Sequence, residues 1–417
     1  MSDKQPSTRP LLPPRDAAVA LTLVALGTVI SLFRIPGHLL NGIYAEDGEI
    51  FIADWLWRPK WSLFFSPYMG YLHLLPRILS GLVVILPVAW WGLATTVLAC
   101  LTVGAVSAGV WLAARSLALG RVLSAAVALV PVLSPLGAVE ALGNLCNLHW
   151  YCLYLLVWVC CAGRRLTRPY VWAVVVIVCC LTEIQAVILL PLVAVIWWRR
   201  RVAWPILAAW FIGTGAQLVC FLTAPRPRVP GHPSILGTIL GYLENVVLGG
   251  FGERIASLSR TLSLVRLGFV GILLVAFLVL AVKVLWSSSR RLLALCLFAL
   301  SGVFWIMAMW SNNSLDFGLT LFLFRWGTTA SMVLAAAVAV VLSEVPWRPW
   351  IRAVVAVILV LLMLRGFYAD ISVRNGKAAE WPVSLQSSSA SCATARTTNV
   401  AIWPDGWFVP LSCSRVP

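Results

Sequence analysis

The chain has 417 residues, of which 61% are hydrophobic and only 11% are charged. Soluble domains carry about 25% charged residues, so this composition excludes a water-soluble protein. The net charge of +16 is spread over turns of a few basic residues. Nucleic-acid binding requires a basic face with aromatic platforms, so we expect no nucleic acid and a lipid bilayer as the partner.

Twelve apolar stretches follow one another along the chain. They cover residues 17–35, 71–87, 89–114, 122–138, 149–162, 170–181, 184–198, 202–222, 264–286, 292–311, 320–342 and 353–368. About 20 apolar residues cross a bilayer as a helix, and a helix satisfies its own backbone in lipid. The sequence therefore predicts an all-α, polytopic integral membrane protein.

Basic turns between these stretches set the orientation, because Lys and Arg concentrate in cytoplasmic loops. These turns contain Arg115, Arg164, Arg199, Arg290 and Arg348, among others. They all fall on the inner side if residues 71–87, which include His73 and Arg77, form a juxtamembrane helix on the outer face. We therefore predict about 11 transmembrane helices, a cytoplasmic N-terminus and an extracytoplasmic C-terminus, in a bacterial plasma membrane.

This topology divides the chain into four parts. They are a cytoplasmic N-terminal segment at 1–16, a transmembrane module at 17–222 with a first outer loop at 36–88, an outer loop and C-terminal transmembrane helices at 223–368, and a short extracytoplasmic tail at 369–417. The tail is polar and contains Cys392 and Cys413. A cysteine pair in such a tail favours a disulfide in an oxidising compartment, with two unrelated free thiols as the alternative.

The first outer loop contains two adjacent acids, Glu46 and Asp47, followed by Glu49 and Asp54 on a predicted amphipathic helix. Adjacent carboxylates raise each other's pKa and can act as a general base or hold a metal. A solvated acidic turn explains the pair equally well when the pair is considered alone.

Two further polar groups lie at the predicted outer edge. Glu140, Asn144, Asn147 and His149 fall within ten positions between two spans. Their amide and imidazole groups can bind hydroxyl groups or orient a carboxylate, whereas the alternative is helix capping. Glu183 lies in the middle of an apolar stretch between two basic turns, which predicts a short helical hairpin with Glu183 near the outer face. The alternative is a snorkelling side chain without a role.

The outer side also has basic residues. Arg325 lies about one and a half turns into a span and requires a partner, either an acid such as Asp316 or a lipid phosphate. Arg226, Arg228 and His232 lie in a Pro-rich loop that a stiff connector would explain equally well.

The acidic pair, the Pro-containing juxtamembrane segment SPYMGYLHLLPR, the loop around Glu140 to His149 and the LTEIQAVILLPL hairpin occur in this order. In that order they resemble the GT-C superfamily of membrane glycosyltransferases, specifically its protein O-mannosyltransferase and lipid A aminoarabinose transferase branch. The resemblance covers residues 17–222. Glu183 stands where the aminoarabinose enzymes have Lys, and the second outer loop has Glu140 where the mannosyltransferases have Asp.

The resemblance implies an inverting transfer of a sugar from a polyprenyl-phosphate donor to an extracytoplasmic glycan, lipid or protein acceptor of the cell envelope. It implies Asp47 as the general base with Glu46 as its partner. Donor-phosphate contacts would come from His73, Arg77 and Arg325. Sugar or acceptor contacts would come from Glu140, Asn144, Asn147, His149 and Glu183.

Two alternatives remain open. No His, Asp or Glu spacing specifies a metal, so assistance by a divalent cation, Mg²⁺ or Mn²⁺, is neither required nor excluded. A transporter or flippase for a lipid-linked or anionic substrate is the second functional interpretation. Polar clusters at one membrane edge, without discontinuous helices in paired halves, favour the transferase.

Overall fold

The computed structural model describes residues 14–199, 203–225, 235–252, 264–286, 288, 290–311, 324–370 and 380–416. Most of the predicted N-terminal segment, the loop with Arg226, Arg228 and His232, and Asp316 lie outside the described residues.

The described residues are mainly helical. The α-helices are α1 Pro14–Phe33, α2 Gly37–Leu40, α3 Ala53–Trp57, α4 Leu74–Val83, α5 Trp91–Ser116, α6 Arg121–Leu133, α7 Leu148–Ala162, α8 Pro169–Cys180, α9 Leu190–Trp198, α10 Trp204–Thr223, α11 Ile235–Gly241, α12 Leu264–Leu285, α13 Arg291–Ser311, α14 Phe324–Glu344, α15 Pro349–Asp370 and α16 Trp381–Ser389. Wider π-helical turns cover Asp47–Ile52, Gly137–Ala141 and Tyr242–Leu248, and a 3₁₀ turn at Ile184–Leu189 leads into α9. Further 3₁₀ turns cover Lys60–Phe65, Val88–Trp90, Gly163–Arg165, Gly249–Phe251, Ala390–Ala393 and Cys413–Arg415.

Within the described ranges, six helices are long and apolar enough to cross a bilayer. They are Arg15–Phe33, Val88–Ser116, Trp204–Thr223, Gly268–Leu285, Arg291–Trp310 and Arg325–Glu344. This confirms a helical, membrane-embedded chain. The number of 11 crossings stays a prediction, because several of the other apolar helices are short; α6, for example, has 13 residues and rises about 20 Å.

The segment predicted to remain on the outer face forms α4, with ten residues. Such a helix rises about 15 Å, half of the hydrocarbon thickness, so its length agrees with a juxtamembrane position. A side chain at Gly81 of α4 would lie 2.6 Å from the Trp55 ring. The helix therefore packs closely against the first outer loop.

The centre of the bundle is α7, whose residues are all buried. A helix that is apolar on every face belongs inside a bundle rather than at its surface. It packs against α5, which also contacts α1 and α6. At Gly104 of α5 a Cβ atom would lie 2.5 Å from the Val24 carbonyl oxygen, so this small residue allows α1 and α5 to approach closely.

The tail contains a small sheet, which departs from the all-α prediction. Strands β1 Thr397–Ile402 and β2 Trp407–Ser412 pair antiparallel, with Thr397 opposite Ser412 and Ile402 opposite Trp407. Burial alternates along β1, as expected for a strand with one face against a core. The predicted Cys392–Cys413 disulfide is confirmed, with its sulfur atoms 2.04 Å apart.

Candidate functional site at the acidic end of the bundle

Residues that are far apart in the sequence meet at one end of the bundle. Asp47 begins the first π-helical turn and Glu46 directly precedes it, while Glu140 lies in the second. His149 is in the first turn of α7, Glu183 precedes the 3₁₀ turn before α9, and Arg325 is in the first turn of α14. We refer to Glu46, Asp47, Glu140, His149, Glu183 and Arg325 as the acidic cluster.

Asp47 connects the predicted first outer loop to the loop that contains Glu140, Asn144 and Asn147. Its side chain is fully buried. Its Oδ2 accepts a hydrogen bond from the backbone N–H of Leu145, and its Oδ1 accepts one from Cys146, both at 2.7 Å. A buried carboxylate requires hydrogen-bond donors for its oxygens, and these two N–H groups supply one to each. Through these two hydrogen bonds, Asp47 holds the two loops together.

Glu46, its neighbour, has a different environment. The side chain is half-buried, and its Oε2 atom is buried without a hydrogen-bond partner among the described residues. Burial raises the pKa of Glu46; the positive charge of Arg325 opposes that shift, while the negative charge of Glu140 adds to it. Glu46 therefore binds a proton more readily than an exposed glutamate does.

Glu140 connects its own segment of the chain with the segments that carry Tyr44 and Arg325. Its Oε1 accepts a hydrogen bond from the Tyr44 hydroxyl and a 2.6 Å ion-pair contact from Arg325 Nη1. Arg325 Nε is buried without a described partner. Burial, followed by the charge of Glu140, raises the pKa of Tyr44, so its hydroxyl stays protonated and donates. Arg325 therefore has Glu140 as its acidic partner, and its Nε donor has no hydrogen-bond partner among the described residues.

His149 and Glu183 form a second buried pair. The His149 Nδ1 atom contacts Glu183 Oε2, while Glu183 Oε1 accepts from the backbone N–H of Gln185 at 2.8 Å. Glu183 therefore caps the turn Ile184–Leu189 and orients an imidazole at the same time. The predicted hairpin is present as α8 and α9, with Glu183 between them.

The two asparagines hold their own loop. Asn144 donates to the Glu140 carbonyl at 2.5 Å and accepts from the Asn147 N–H at 3.0 Å. Asn147 Nδ2 is buried and has no described partner. Asn144 thus has the local role that capping predicts, whereas Asn147 retains a donor for a ligand.

His73 and Arg77, which were predicted to contact a donor phosphate, lie beside the first outer loop and near His149. Arg77 is buried, donates to Asp54 Oδ2 at 2.7 Å and to the Ser66 carbonyl at 2.9 Å, and lies 5.5 Å from the Phe51 ring. Burial lowers the pKa of His73 well below its usual value, with the charges of His149 and Arg77 adding to this effect. His73 is therefore a neutral side chain. Arg77 therefore supports the first outer loop through these contacts, and donor-phosphate binding by His73 and Arg77 stays a prediction.

The tail module, residues 380–416, docks beside the acidic cluster. The Ala45 N–H donates to the Trp403 carbonyl at 2.6 Å, and the Trp403 N–H donates to the Ile43 carbonyl at 3.2 Å. The Trp403 ring lies 5.2 Å from the Tyr44 ring. In the sequence, the β-branched residues Thr398, Val400 and Ile402 occupy alternate positions, and this pattern indicates a strand.

An apolar cavity of about 200 Å³ lies deeper in the bundle. It is lined by α6, α12, α14 and α15, including Val130, Phe277, Leu334 and Met363. Along α14 its wall runs from Ser331 to Leu342, and Ser331 is six residues, about 9 Å, beyond Arg325. Along α14 the cavity therefore extends away from the acidic cluster.

In the described part of the chain, no group of three or more His, Cys, Asp and Glu side chains is arranged to hold a metal ion.

In comparisons with known proteins, no family model, no curated protein and no solved structure matches the chain.

Proposed function

We propose that the protein is a membrane glycosyltransferase of the GT-C type, which moves a sugar from a polyprenyl-phosphate donor to an extracytoplasmic acceptor. The observation that carries the proposal is the Glu46 carboxylate. It has a buried oxygen without a described protein partner, it has a raised pKa, and it lies close enough to Arg325 for that charge to influence it.

Glu46 takes the role of general base in this proposal, and Asp47 positions it. Glu46 accepts the proton of the acceptor hydroxyl, and the acceptor oxygen forms a bond to the anomeric carbon of the sugar. The bond from that carbon to the phosphate oxygen breaks, and its electron pair leaves with the polyprenyl phosphate. Attack opposite to the leaving group inverts the anomeric configuration.

Arg325 is suited to the leaving phosphate. A guanidinium group binds phosphate through two parallel N–H donors, and Arg325 uses its Nη1 atom on Glu140 while its Nε atom has no described partner. Fixed positive charge near the departing oxygens stabilises the transition state more than the neutral acceptor.

The apolar cavity supports a lipid-linked donor. An isoprenoid tail requires an apolar channel that begins near the site of its phosphate, and the cavity wall on α14 begins six residues from Arg325. The acceptor would approach from the opposite side, beside Trp403 and Tyr44. His149, Asn147 and the tail aromatics are the groups that we assign to sugar or acceptor contacts.

The test compares Glu46→Gln with Glu49→Gln in the reconstituted full-length protein. Both acids lie in the same part of the first outer loop, and the glutamine introduced by Glu49→Gln could still accept the 3.3 Å hydrogen bond from the Phe408 N–H. With a panel of polyprenyl-phosphate sugars, Glu46→Gln should lower the release of polyprenyl phosphate by about 10²- to 10⁴-fold, and Glu49→Gln should retain it.

Two outcomes would contradict the proposal. Transfer by Glu46→Gln at the wild-type rate would reject Glu46 as the base. If the wild-type protein released no polyprenyl phosphate but moved lipid-linked sugars between leaflets, a transporter would be the correct interpretation.

A further inference from the structure

The opposite end of the bundle contains a basic cavity. Its volume is about 210 Å³, and its lining includes Arg164, Arg165, Arg199 and Arg290 together with Leu117 and Leu293. Three helices lead to it from the side of the acidic cluster. Helix α7 ends just before Arg164, α9 ends just before Arg199, and α14 ends at Glu344, which pairs with Arg290 at 3.2 Å. The 15 residues of α7 separate the two ends by about 22 Å.

Four of the described residues that line this cavity are arginines. Glu344 and Ser343 engage Arg290, which also donates to the Leu117 carbonyl at 2.8 Å. None of the described residues that line the cavity is acidic. Arg164, Arg165 and Arg199 bring their positive side chains to this one surface, and all three are exposed.

The arginines come from three separate turns of the chain. The preference of basic residues for the cytoplasmic side acts on each turn separately. It does not explain why three turns line the same cavity. At about 30 Å³ per molecule, this volume would hold about seven waters, enough for a phosphate group. Guanidinium groups from several directions are the usual arrangement for binding phosphate.

The walls beside the arginines are apolar and continue into a second recess. That recess is lined by Ala194, Val195, Trp198, Arg199 and Leu292, so Val195 and Arg199 belong to both. The Trp198 side chain is 89% exposed. An exposed Trp beside basic residues at a helix end is typical of the membrane interface, where the ring lies at the level of the lipid headgroups.

We propose that this cavity binds the phosphate headgroup of an anionic membrane phospholipid, with an acyl chain lying along the recess at Ala194, Trp198 and Leu292. Basic pockets between transmembrane helices bind such headgroups through the same chemistry. A free phosphate ion would need the arginines but not the apolar recess, and so the recess favours the lipid. The site is separate from the acidic cluster and does not depend on the transferase proposal.

The experiment measures phosphatidylglycerol bound to the full-length protein after reconstitution into phosphatidylcholine nanodiscs that contain phosphatidylglycerol. The test variant is Arg164→Gln with Arg199→Gln, both at exposed positions. The matched control is Arg121→Gln with Arg348→Gln, which removes the same charge from exposed positions outside the cavity. Loss of a charge-assisted contact should weaken binding by about tenfold for each arginine removed.

The expected result is about a hundredfold weaker binding of phosphatidylglycerol in the test variant, with wild-type binding in the control. Arg164→Lys with Arg199→Lys should retain part of the affinity, since the charges remain but the paired donors are lost. Equal binding by the test variant and the wild type, or equal losses in both Gln variants, would overturn the proposal. Displacement of the lipid by inorganic phosphate, but not by chloride of equal ionic strength, would reassign the cavity to a small anion.

Discussion

Two adjacent carboxylates, Glu46 and Asp47, differ in what they contact, and that difference can be measured. Asp47→Asn keeps one acceptor oxygen and places an N–H₂ group against a backbone N–H of Leu145 or Cys146. A buried polar group left without its partner costs about 1–3 kcal/mol. We therefore expect Asp47→Asn to lower the stability of the protein by about that amount, measured by thermal or denaturant unfolding in a fixed detergent.

Glu46→Gln provides the comparison, because the Oε2 atom of Glu46 has no described partner to lose. Its stability should stay near that of the wild type while transfer is lost. The opposite pattern, in which Asp47→Asn is as stable as the wild type but inactive and Glu46→Gln is active, would return the base role to Asp47.

The pH dependence of transfer should report on Arg325. Burial raises the pKa of Glu46, and the positive charge of Arg325 lowers it. A base acts only when deprotonated, so activity falls as the pH drops through the pKa of Glu46. Arg325→Gln removes the opposing charge, raises that pKa further, and should move the acidic limb of the kcat/KM profile to higher pH.

Arg325→Lys is the control for this shift, because it keeps the charge. Its acidic limb should stay near the wild-type position even if donor binding weakens. An acidic limb that does not move in Arg325→Gln would mean that the titrating group is not Glu46.

Among the elements, the contact between the first π-helical turn and the tail hairpin depends on a glycine. A Cβ atom at Gly48 would overlap Ile402 and lie 2.7 Å from Val409 Cγ2. Overpacking of this kind costs about 1–3 kcal/mol. Gly48→Ala should therefore loosen the tail and increase amide hydrogen exchange in β1 and β2.

Gly37→Ala is the matched control, since nothing lies within 4 Å of the position that its Cβ would occupy. It should leave exchange in the hairpin unchanged. Equal protection of β1 and β2 in both variants would show that the hairpin does not depend on the close contact at Gly48.

The sequence predicted the long helices well, because their apolar stretches dominate the pattern. The bounds of α5, α12, α13 and α15 lie within a few residues of the predicted stretches. It missed the helix and π-helical turn from Ile235 to Leu248, in which Glu244 and Asn245 interrupt the apolar run. Hydrophobic periodicity carries no signal for a π-helical turn, since one extra residue in the turn breaks the 3.6-residue repeat.

The acidic cluster was predicted as a set of residues, but the contacts among them were not. Acids at a membrane edge are unusual enough to identify from the sequence. That Glu140 is the partner of Arg325, or that Tyr44 donates to Glu140, depends on packing between residues about 100 to 185 positions apart. The contact between Arg77 and Asp54 could not be predicted from the sequence either, because it depends on how the loop folds.

On the scale of the whole molecule, acidic and basic groups lie at opposite ends of the bundle. The acidic cluster lies at the start of α7 and α14, and the basic cavity lies at their ends. Because basic residues favour the cytoplasmic side, this polarity predicts that the acidic cluster and the tail module face outward. The predicted orientation can be tested with two single substitutions.

Trp61→Cys lies in the first outer loop, where the Trp61 side chain is 76% exposed. Arg348→Cys lies in the exposed turn between α14 and α15. In intact cells, a membrane-impermeant maleimide should label the first variant and should label the second only after the membrane is opened. The parent protein supplies the background, because seven of the nine free cysteines among the described residues are buried. The reverse pattern would place Glu46 in the cytosol, where an extracytoplasmic acceptor could not reach it, and the proposed transferase would have to be abandoned.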